Sequence, residues 1–105
     1  MAVLEVTSAE QFEEMLRANE KVAVMFTATW CGPGRLISPA FKQLSEQYKD
    51  IMFVSVDADK VAPAAQKHSI RSMPTFIYFK NGEKSGDLLG ADKTALEDKV
   101  KMWAA

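Results

Sequence analysis

The stretch Trp30–Arg35, with the sequence Trp-Cys-Gly-Pro-Gly-Arg, decides the fold. It follows Val22–Phe26, a continuous apolar run of the kind that forms a strand buried on both faces. Pro33 fits the first turn of a helix, where its missing N–H costs no hydrogen bond. The stretch therefore predicts a strand, a turn and a helix, with Cys31 at the helix N-terminus and reachable from solvent. Unpaired N–H groups and the helix dipole favour a thiolate there, and we expect Arg35 to add positive charge.

Four more segments have the composition of strands. Their apolar, β-branched and aromatic residues, or their position after a turn, predict strands at Leu4–Val6, Met52–Val56, Thr75–Phe79 and Glu83–Leu89. Asn81-Gly82 joins the last two and is the strongest short signal for an antiparallel hairpin. Helical segments separate the earlier strands, which implies parallel pairing.

Four segments have helical patterns. Thr7 stands three residues before Glu10, a capping box that should begin the first helix. The second helix follows Cys31 and has apolar residues at helical spacing, with Pro39 placed to kink it. Those apolar residues are Ile37, Phe41, Leu44 and Tyr48. Val61–Lys67 should be a short helix, and Asp92 can cap the last one. The order β-α-β-α-β-α-β-β-α predicts an α/β fold, a mixed sheet with helices on both faces.

Length and charge exclude several classes of protein. At 105 residues the chain has room for one hydrophobic core, so we expect residues 1–105 to form a single domain. The net charge is -1, and no basic run is present that could follow a nucleic-acid backbone. No apolar stretch approaches the about 20 residues of a membrane helix, and the first residues lack a signal-peptide pattern. We therefore expect neither a nucleic-acid nor a membrane partner.

The chain has one cysteine, Cys31. One cysteine cannot form an internal disulfide, and it cannot supply the several ligands of a structural metal site. Disulfide chemistry at Cys31 must therefore take its second sulfur from another molecule. A lone free thiol suits a reducing compartment, so we expect a cytoplasmic protein without a metal or other resident cofactor.

Four motifs resemble those of the thioredoxin family. They are the active-site segment Phe26–Pro33, then Met73-Pro74-Thr75, Phe79–Gly82 and Gly90-Ala91, at matching distances along the chain. The resemblance covers essentially the whole chain and implies the thioredoxin fold. It also implies a cis peptide bond before Pro74 and a groove that holds an extended peptide beside Cys31. The substrate-binding residues that it implies are Trp30, Gly32, Pro33, Gly34, Met73, Pro74, Thr75 and Gly90. It further implies that Asp59 approaches Trp30, so that Asp59 and Arg35 modulate the site.

Two positions depart from the family's pattern. The family has a second cysteine, which resolves the mixed disulfide, where this chain has Gly34. It has a buried aspartate, which assists that second thiol, where this chain has Met25. Without the second thiol, a buried carboxylate would cost desolvation free energy and would have no proton to transfer. Methionine instead fills the space with apolar atoms. The two changes are physically coupled and indicate a monothiol variant, with Cys-Gly-Pro-Gly in place of Cys-Gly-Pro-Cys.

Three functions are open on this basis. In the first, the chain is a weak monothiol thiol–disulfide oxidoreductase of redox homeostasis, rather than a complete dithiol reductase. Cys31 forms mixed disulfides with protein thiols or disulfides, and an external thiol such as glutathione resolves them. This function predicts a monomer when reduced and a Cys31-linked dimer when oxidised. In the second, the chain is a redox-inactive binding or chaperone-like module. In the third, ranked lowest, a dimer carries an iron–sulfur cluster.

Two further polar residues receive no chemical role from the sequence. His68 is the only histidine and lies far from the cysteine motif, so we expect it in a turn or on the surface. We expect Asp57 and Asp59 in a solvated loop, from which Asp59 can approach Trp30 as the resemblance implies.

Overall fold

The computed structural model describes residues 3–105, which form five strands and four helices in the predicted order. The strands are β1 (Leu4–Val6), β2 (Lys21–Thr27), β3 (Met52–Asp57), β4 (Thr75–Lys80) and β5 (Glu83–Leu89). The helices are α1 (Ala9–Ala18), α2 (Gly32–Gln47), α3 (Ala62–Lys67) and α4 (Lys93–Ala104).

The strands form one sheet in the order β1-β3-β2-β4-β5. β1 and β2 run parallel to β3, whereas β4 runs antiparallel to both β2 and β5. The predicted mixed sheet, parallel in its first half and closed by a hairpin, is confirmed. The hairpin turn Asn81-Gly82 has positive φ at both residues, 54° and 82°, which is the geometry that a two-residue turn between twisted strands needs.

Helices cover both faces of the sheet, as predicted. α1 and α3 pack on the face to which Val22, Val24 and Phe26 of β2 point. α2 and α4 pack on the opposite face, to which Ala23 and Met25 point. Because successive side chains of a strand point to opposite faces, β2 contributes alternately to two separate cores. This explains the unbroken apolar run before Cys31.

The first helix begins at a different cap from the predicted one. Ser8, not Thr7, is the N-cap, and its Oγ accepts a hydrogen bond from the Gln11 N–H at 3.1 Å. The Gln11 side chain does not reach the Ser8 N–H, as it would in a capping box, because its Oε1 accepts from the Thr7 N–H at 2.7 Å. The cap is therefore one residue later than predicted, and the predicted reciprocal pair of bonds does not form. Pro39 lies inside α2, which continues through it as one helix.

One end of the sheet gathers the loops that carry the motifs. Phe26 of β2, Thr75 of β4 and Leu89 of β5 are register partners across neighbouring strands. Thr27 of β2 is paired in the same way with Asp57 of β3. The loops that follow β2, β3 and β5 and the loop that precedes β4 therefore all leave the sheet at this end.

Candidate thiol site

Cys31 is the N-cap residue of α2. Its backbone is extended, and its Sγ accepts a hydrogen bond from the Gly34 N–H at 3.2 Å. Its C=O accepts from the Arg35 N–H at 3.1 Å, so the helix begins directly at the cysteine. A helix start presents unpaired N–H groups and the positive end of the helix dipole. The site can therefore hold negative charge on the sulfur.

Cys31 is nevertheless more enclosed than the sequence predicts. The residue is 3% exposed, so the expectation of a solvent-reachable cysteine is wrong for the residue as a whole. A turn explains the burial, because the Cys31 N–H donates to the Ala28 C=O at 3.0 Å and folds the loop back against the end of β2. A partner sulfur can reach Cys31 only through the small part of its surface that stays open.

Trp30 is held by a hydrogen bond across two loops. Its Nε1–H donates to Asp59 Oδ2 at 2.7 Å, although 68% of the residue is exposed. Asp59 lies in the turn after β3, where Asp57 Oδ1 accepts from the N–H groups of Asp59 and Lys60 at 2.9 and 3.1 Å. Asp57 is the last residue of β3 and is buried, so the prediction that it lies in a solvated loop is wrong. Its carboxylate fixes the turn that presents Asp59 to the indole.

The loop before β4 and the residue after β5 are joined at the same end of the sheet. The Met73–Pro74 peptide is cis. The Pro74 C=O accepts from the Gly90 N–H at 3.0 Å, and Gly90 has φ +91°, a conformation that favours glycine. Thr75 is buried, and its Oγ1 donates to the Ser72 C=O at 2.7 Å. These contacts join Met73-Pro74-Thr75 to Gly90, two of the segments that the family resemblance assigns to the groove.

The first turn of α2 carries the three residues that follow the cysteine. Gly32 and Pro33 are exposed, whereas Gly34 is buried. A Cβ at position 34 would lie 3.2 Å from Cys31 Sγ and would overlap Thr27 Oγ1. The Thr27 hydroxyl thus occupies the space into which a side chain at position 34 would extend. The sequence did not single out Thr27, because only the turn between β2 and α2 brings it beside Gly34.

Met25 and Arg35 lie on the flank of α2. Met25 is 4% exposed and belongs to the core beneath α2, which also contains Phe41, Phe53 and Phe76. It also borders a groove of about 530 Å³ that Arg35 helps to line. Arg35 itself is exposed on the first turn of the helix. The position where the family has a carboxylate is thus filled by apolar packing.

His68 lies in the turn directly after α3, as predicted, but its side chain is only partly exposed. Its ring lies among Phe12, Phe26 and Phe79, with ring centroids 5.5, 6.2 and 5.2 Å away. Burial lowers the pKa of His68, and the carboxylate of Glu13, with its Oε2 3.7 Å from His68 Nε2, partly opposes that shift. The histidine therefore packs against the core on the α1 side of the sheet and has no contact with the thiol site among the described residues.

Exposed apolar side chains were also missed by the sequence analysis. Leu36 is 84% exposed on α2, and Leu89 is 65% exposed at the end of β5, next to Gly90. Leu36 directly precedes Ile37, the first of the apolar residues that recur at helical spacing in α2. Because Leu36 falls outside that spacing, the sequence already indicated an apolar side chain on the exposed face of the helix. Together with Trp30 they leave apolar surface at the end of the sheet that carries Cys31.

Neither a metal-binding cluster nor a membrane-spanning helix occurs in the described part of the chain. Among residues 3–105, no group of three or more His, Cys, Asp or Glu side chains is arranged to hold a metal ion. None of the helices in that range is both long enough and apolar enough to cross a membrane.

Comparison with known proteins gives one consistent result. The family model described as Thioredoxin matches residues 3–102. Thioredoxin 1 of Plasmodium falciparum is 41% identical over 100 residues, which cover 95% of this chain and 96% of that protein. Thioredoxin of Callithrix jacchus is 42% identical over 103 residues, which cover 96% and 98%.

Solved structures agree with the sequence matches. A structure of Plasmodium falciparum thioredoxin superposes with a TM-score of 0.94 at 40% identity, over 95% of this chain and 98% of that one. A chain from a study of thiol resolution in the yeast mitochondrial 1-Cys peroxiredoxin by the glutathione and thioredoxin systems has a TM-score of 0.89 at 34% identity, over 95% and 94%. The sheet order, the two helix layers and the cysteine at the start of α2 define a redox protein with the thioredoxin fold. The chain belongs to the thioredoxin family.

Proposed function

We propose that this chain is a monothiol oxidoreductase of thiol redox homeostasis, with Cys31 as its single nucleophile. The observation that carries the proposal is the position of the only cysteine at the N-cap of α2, where the Gly34 N–H donates to its Sγ. A thiolate there attacks one sulfur of a disulfide, forms a bond to it and expels the other sulfur as a thiolate. Because the chain has no second cysteine, an external thiol such as glutathione must complete the cycle.

The partners follow from the family and from one solved relative. Membership of the thioredoxin family supports protein disulfides and thiols as substrates. The relative from the 1-Cys peroxiredoxin study supports glutathione as a thiol that acts beside such a protein. We assign contact with the substrate to Trp30, Gly32, Pro33, Met73, Pro74, Thr75 and Gly90. Gly34, which the family resemblance also suggests, is buried and instead donates its N–H to Cys31 Sγ. Arg35 and Asp59 modulate the site, Asp59 through its hydrogen bond to Trp30. The reaction needs no resident cofactor.

The proposal also covers the cellular compartment and the oligomeric state of the protein. A free thiol persists in a reducing compartment, which supports the cytoplasm. We propose that residues 1–105 act as one domain and as a monomer when reduced. A Cys31-linked dimer on oxidation is the natural product of a lone thiol, although the enclosure of Cys31 limits the rate at which two copies can meet.

A binding module is the second candidate function. The 3% exposure of Cys31 favours it, together with the exposed apolar side chains of Trp30, Leu36 and Leu89. Such a module would hold extended peptides without chemistry at the sulfur. The iron–sulfur carrier receives no support from the relatives described above, which are thioredoxins.

Turnover of a glutathionylated peptide separates the two candidates. The peptide is supplied with excess glutathione, and release of peptide thiol is followed by mass spectrometry with wild type and with Cys31→Ser as the matched control. The oxidoreductase predicts peptide release with wild type and only the uncatalysed rate with Cys31→Ser. Equal rates for the two proteins would reject the oxidoreductase, and retained peptide binding by both would favour the module.

A further inference from the structure

Thr27 stands on the buried side of the reactive sulfur. Its Oγ1 would overlap a Cβ at position 34, and the same Cβ would lie 3.2 Å from Cys31 Sγ. Gly34 is buried, and its N–H already donates to Cys31 Sγ from this side. The inner side of the sulfur is therefore filled by protein atoms, whereas the small exposed part of Cys31 faces outward.

In disulfide exchange, the attacking thiolate must approach a sulfur from the side opposite the sulfur that leaves. The entering, central and leaving sulfur atoms lie close to a straight line when a thiolate attacks a disulfide. In a mixed disulfide on Cys31, the partner's sulfur occupies the outer side, because that side alone can be reached. A thiol that attacks Cys31 Sγ would then have to enter from the inner side, where Thr27 and Gly34 lie.

We propose that Thr27 is a specificity-determining residue, which closes the inner side of Cys31 so that mixed disulfides on this chain open only at the partner's sulfur. This inference rests on the proposed function and names its substrate class. The external thiolate bonds to the partner's sulfur, the bond between that sulfur and Cys31 Sγ breaks, and its electron pair returns to Cys31 as a thiolate.

The consequence for the substrate follows from the products. If Cys31 has taken glutathione from a glutathionylated protein, attack by a second glutathione gives glutathione disulfide and regenerates Cys31. If Cys31 holds a cysteine of a protein disulfide, the same attack leaves glutathione on that protein, which is not reduced. Mixed disulfides between a protein and a small thiol are therefore the class that this site turns over productively.

Isotopically labelled glutathione shows which of the two sulfur atoms of the mixed disulfide is attacked. Wild-type protein is loaded at Cys31 with unlabelled glutathione from its activated thiopyridyl disulfide and is then mixed with excess labelled glutathione. We expect the adduct to leave the protein as a half-labelled glutathione disulfide, with no labelled adduct on the protein at early times. The matched control is the glutathionylated peptide of residues 29–35, in which both sulfurs are open and both products should form.

Two results would overturn the inference in this first experiment. Labelled adduct that appears on the wild-type protein as fast as unlabelled adduct is lost would show that Cys31 Sγ itself is attacked. Failure of Cys31 to accept the activated reagent would show that no outer side is open. Failure of the proposed function looks different, since the protein would then load with the activated reagent but would take no glutathione from a glutathionylated peptide.

Thr27 itself is tested with a thiol introduced on the inner side. Gly34→Cys and Thr27→Ala/Gly34→Cys are treated with glutathione disulfide, and closure to an internal disulfide is followed by intact mass. We expect the double variant to close about tenfold faster, which corresponds to about 1.4 kcal/mol in the barrier, because the overlap with the hydroxyl is gone. Gly34→Cys alone should accumulate the glutathione adduct.

The control for this second experiment is Thr29→Ala/Gly34→Cys, in which the exposed neighbouring threonine is changed. It should close at the rate of Gly34→Cys. Equal closure rates for the Thr27 and Thr29 variants would mean that Thr27 does not obstruct position 34, and the role assigned to it would be wrong.

Discussion

The rings of Tyr78 and Trp103 are stacked, with centroids 5.1 Å apart and planes 5° from parallel. Tyr78 is the register partner of Gly86 in the hairpin of β4 and β5, and the indole crosses that glycine. A Cβ on Gly86 would lie 2.7 Å from Trp103 Nε1, closer than real Cβ contacts come. Because Gly86 of β5 has no side chain, Trp103 of α4 can cover the ring of Tyr78.

Gly86→Ala should therefore destabilise the fold. We expect the free energy of unfolding to fall by about 1–3 kcal/mol through overpacking, which outweighs the gain of about 0.4–1 kcal/mol that alanine brings through the unfolded chain. Urea denaturation measures the change. In a Trp103→Leu background the overlap is absent, so the same substitution should be neutral or stabilising. An equal loss in both backgrounds would disprove the role of the indole.

Met25→Asp should be destabilising in a manner that depends on pH. Met25 is 4% exposed, so burial would raise the pKa of an aspartic acid there above about 3.9. The folded form then holds its proton more tightly than the unfolded form, and stability falls as pH rises from about 4 to the folded pKa. Even the protonated form should lose about 1–3 kcal/mol for burying a polar group.

Met25→Asn is the matched control for that prediction, because it buries a polar group that does not titrate. Urea denaturation between pH 4 and 8 should give a loss for Met25→Asp that grows relative to Met25→Asn as pH rises. A constant difference between the two variants would mean that the site admits water and does not disfavour charge.

His68 should make the wild type less stable in mild acid. Its pKa is lowered in the folded protein, chiefly by burial, and Lys67 and Lys84 add to the shift while Glu13 opposes it. Above the unfolded pKa of about 6.5 both states are neutral and nothing changes. As pH falls below 6.5 the unfolded chain binds a proton first, so the free energy of unfolding decreases until the folded pKa is passed.

His68→Phe removes this contribution and keeps an aromatic ring among Phe12, Phe26 and Phe79. Its stability should depend less on pH than that of wild type below pH 6.5, as measured by urea midpoints. Glu13→Gln should deepen the loss in acid, because the carboxylate that favours the imidazolium is gone. Parallel curves for wild type and His68→Phe would refute the assignment.

The reduction of insulin driven by dithiothreitol or a thioredoxin reductase should show little or no acceleration. The reason is that Gly34 supplies no thiol to release the mixed disulfide from within the chain. A dithiol thioredoxin is the positive control and Cys31→Ser the negative one. A wild-type rate near that of the dithiol protein under reductase coupling would contradict the monothiol proposal.

The order of the elements along the chain and the hairpin of β4 and β5 could be predicted because periodicity and turn chemistry are local. Val22–Phe26 and Asn81-Gly82 needed no tertiary information, and both predictions are confirmed. The errors concern contacts between distant segments or competition between neighbours. Asp57 is buried because its carboxylate accepts an N–H of the turn that follows β3, and Ser8 rather than Thr7 caps the first helix because its Oγ accepts from the Gln11 N–H. Thr27 was missed because its contact with Gly34 exists only after β2 and α2 are folded together.

The enclosure of a single thiol also gives the protein an intrinsic reporter of its own motions. Because Cys31 is the only cysteine and is 3% exposed, a thiol reagent too bulky to reach that small exposed surface can label it only when the start of α2 opens. The labelling rate under native conditions therefore gives the free energy of that opening, and its response to urea tells whether the opening is local or global. Cys31 Sγ, the atom on which the proposed chemistry depends, can therefore also report the partial unfolding of the helix that carries it.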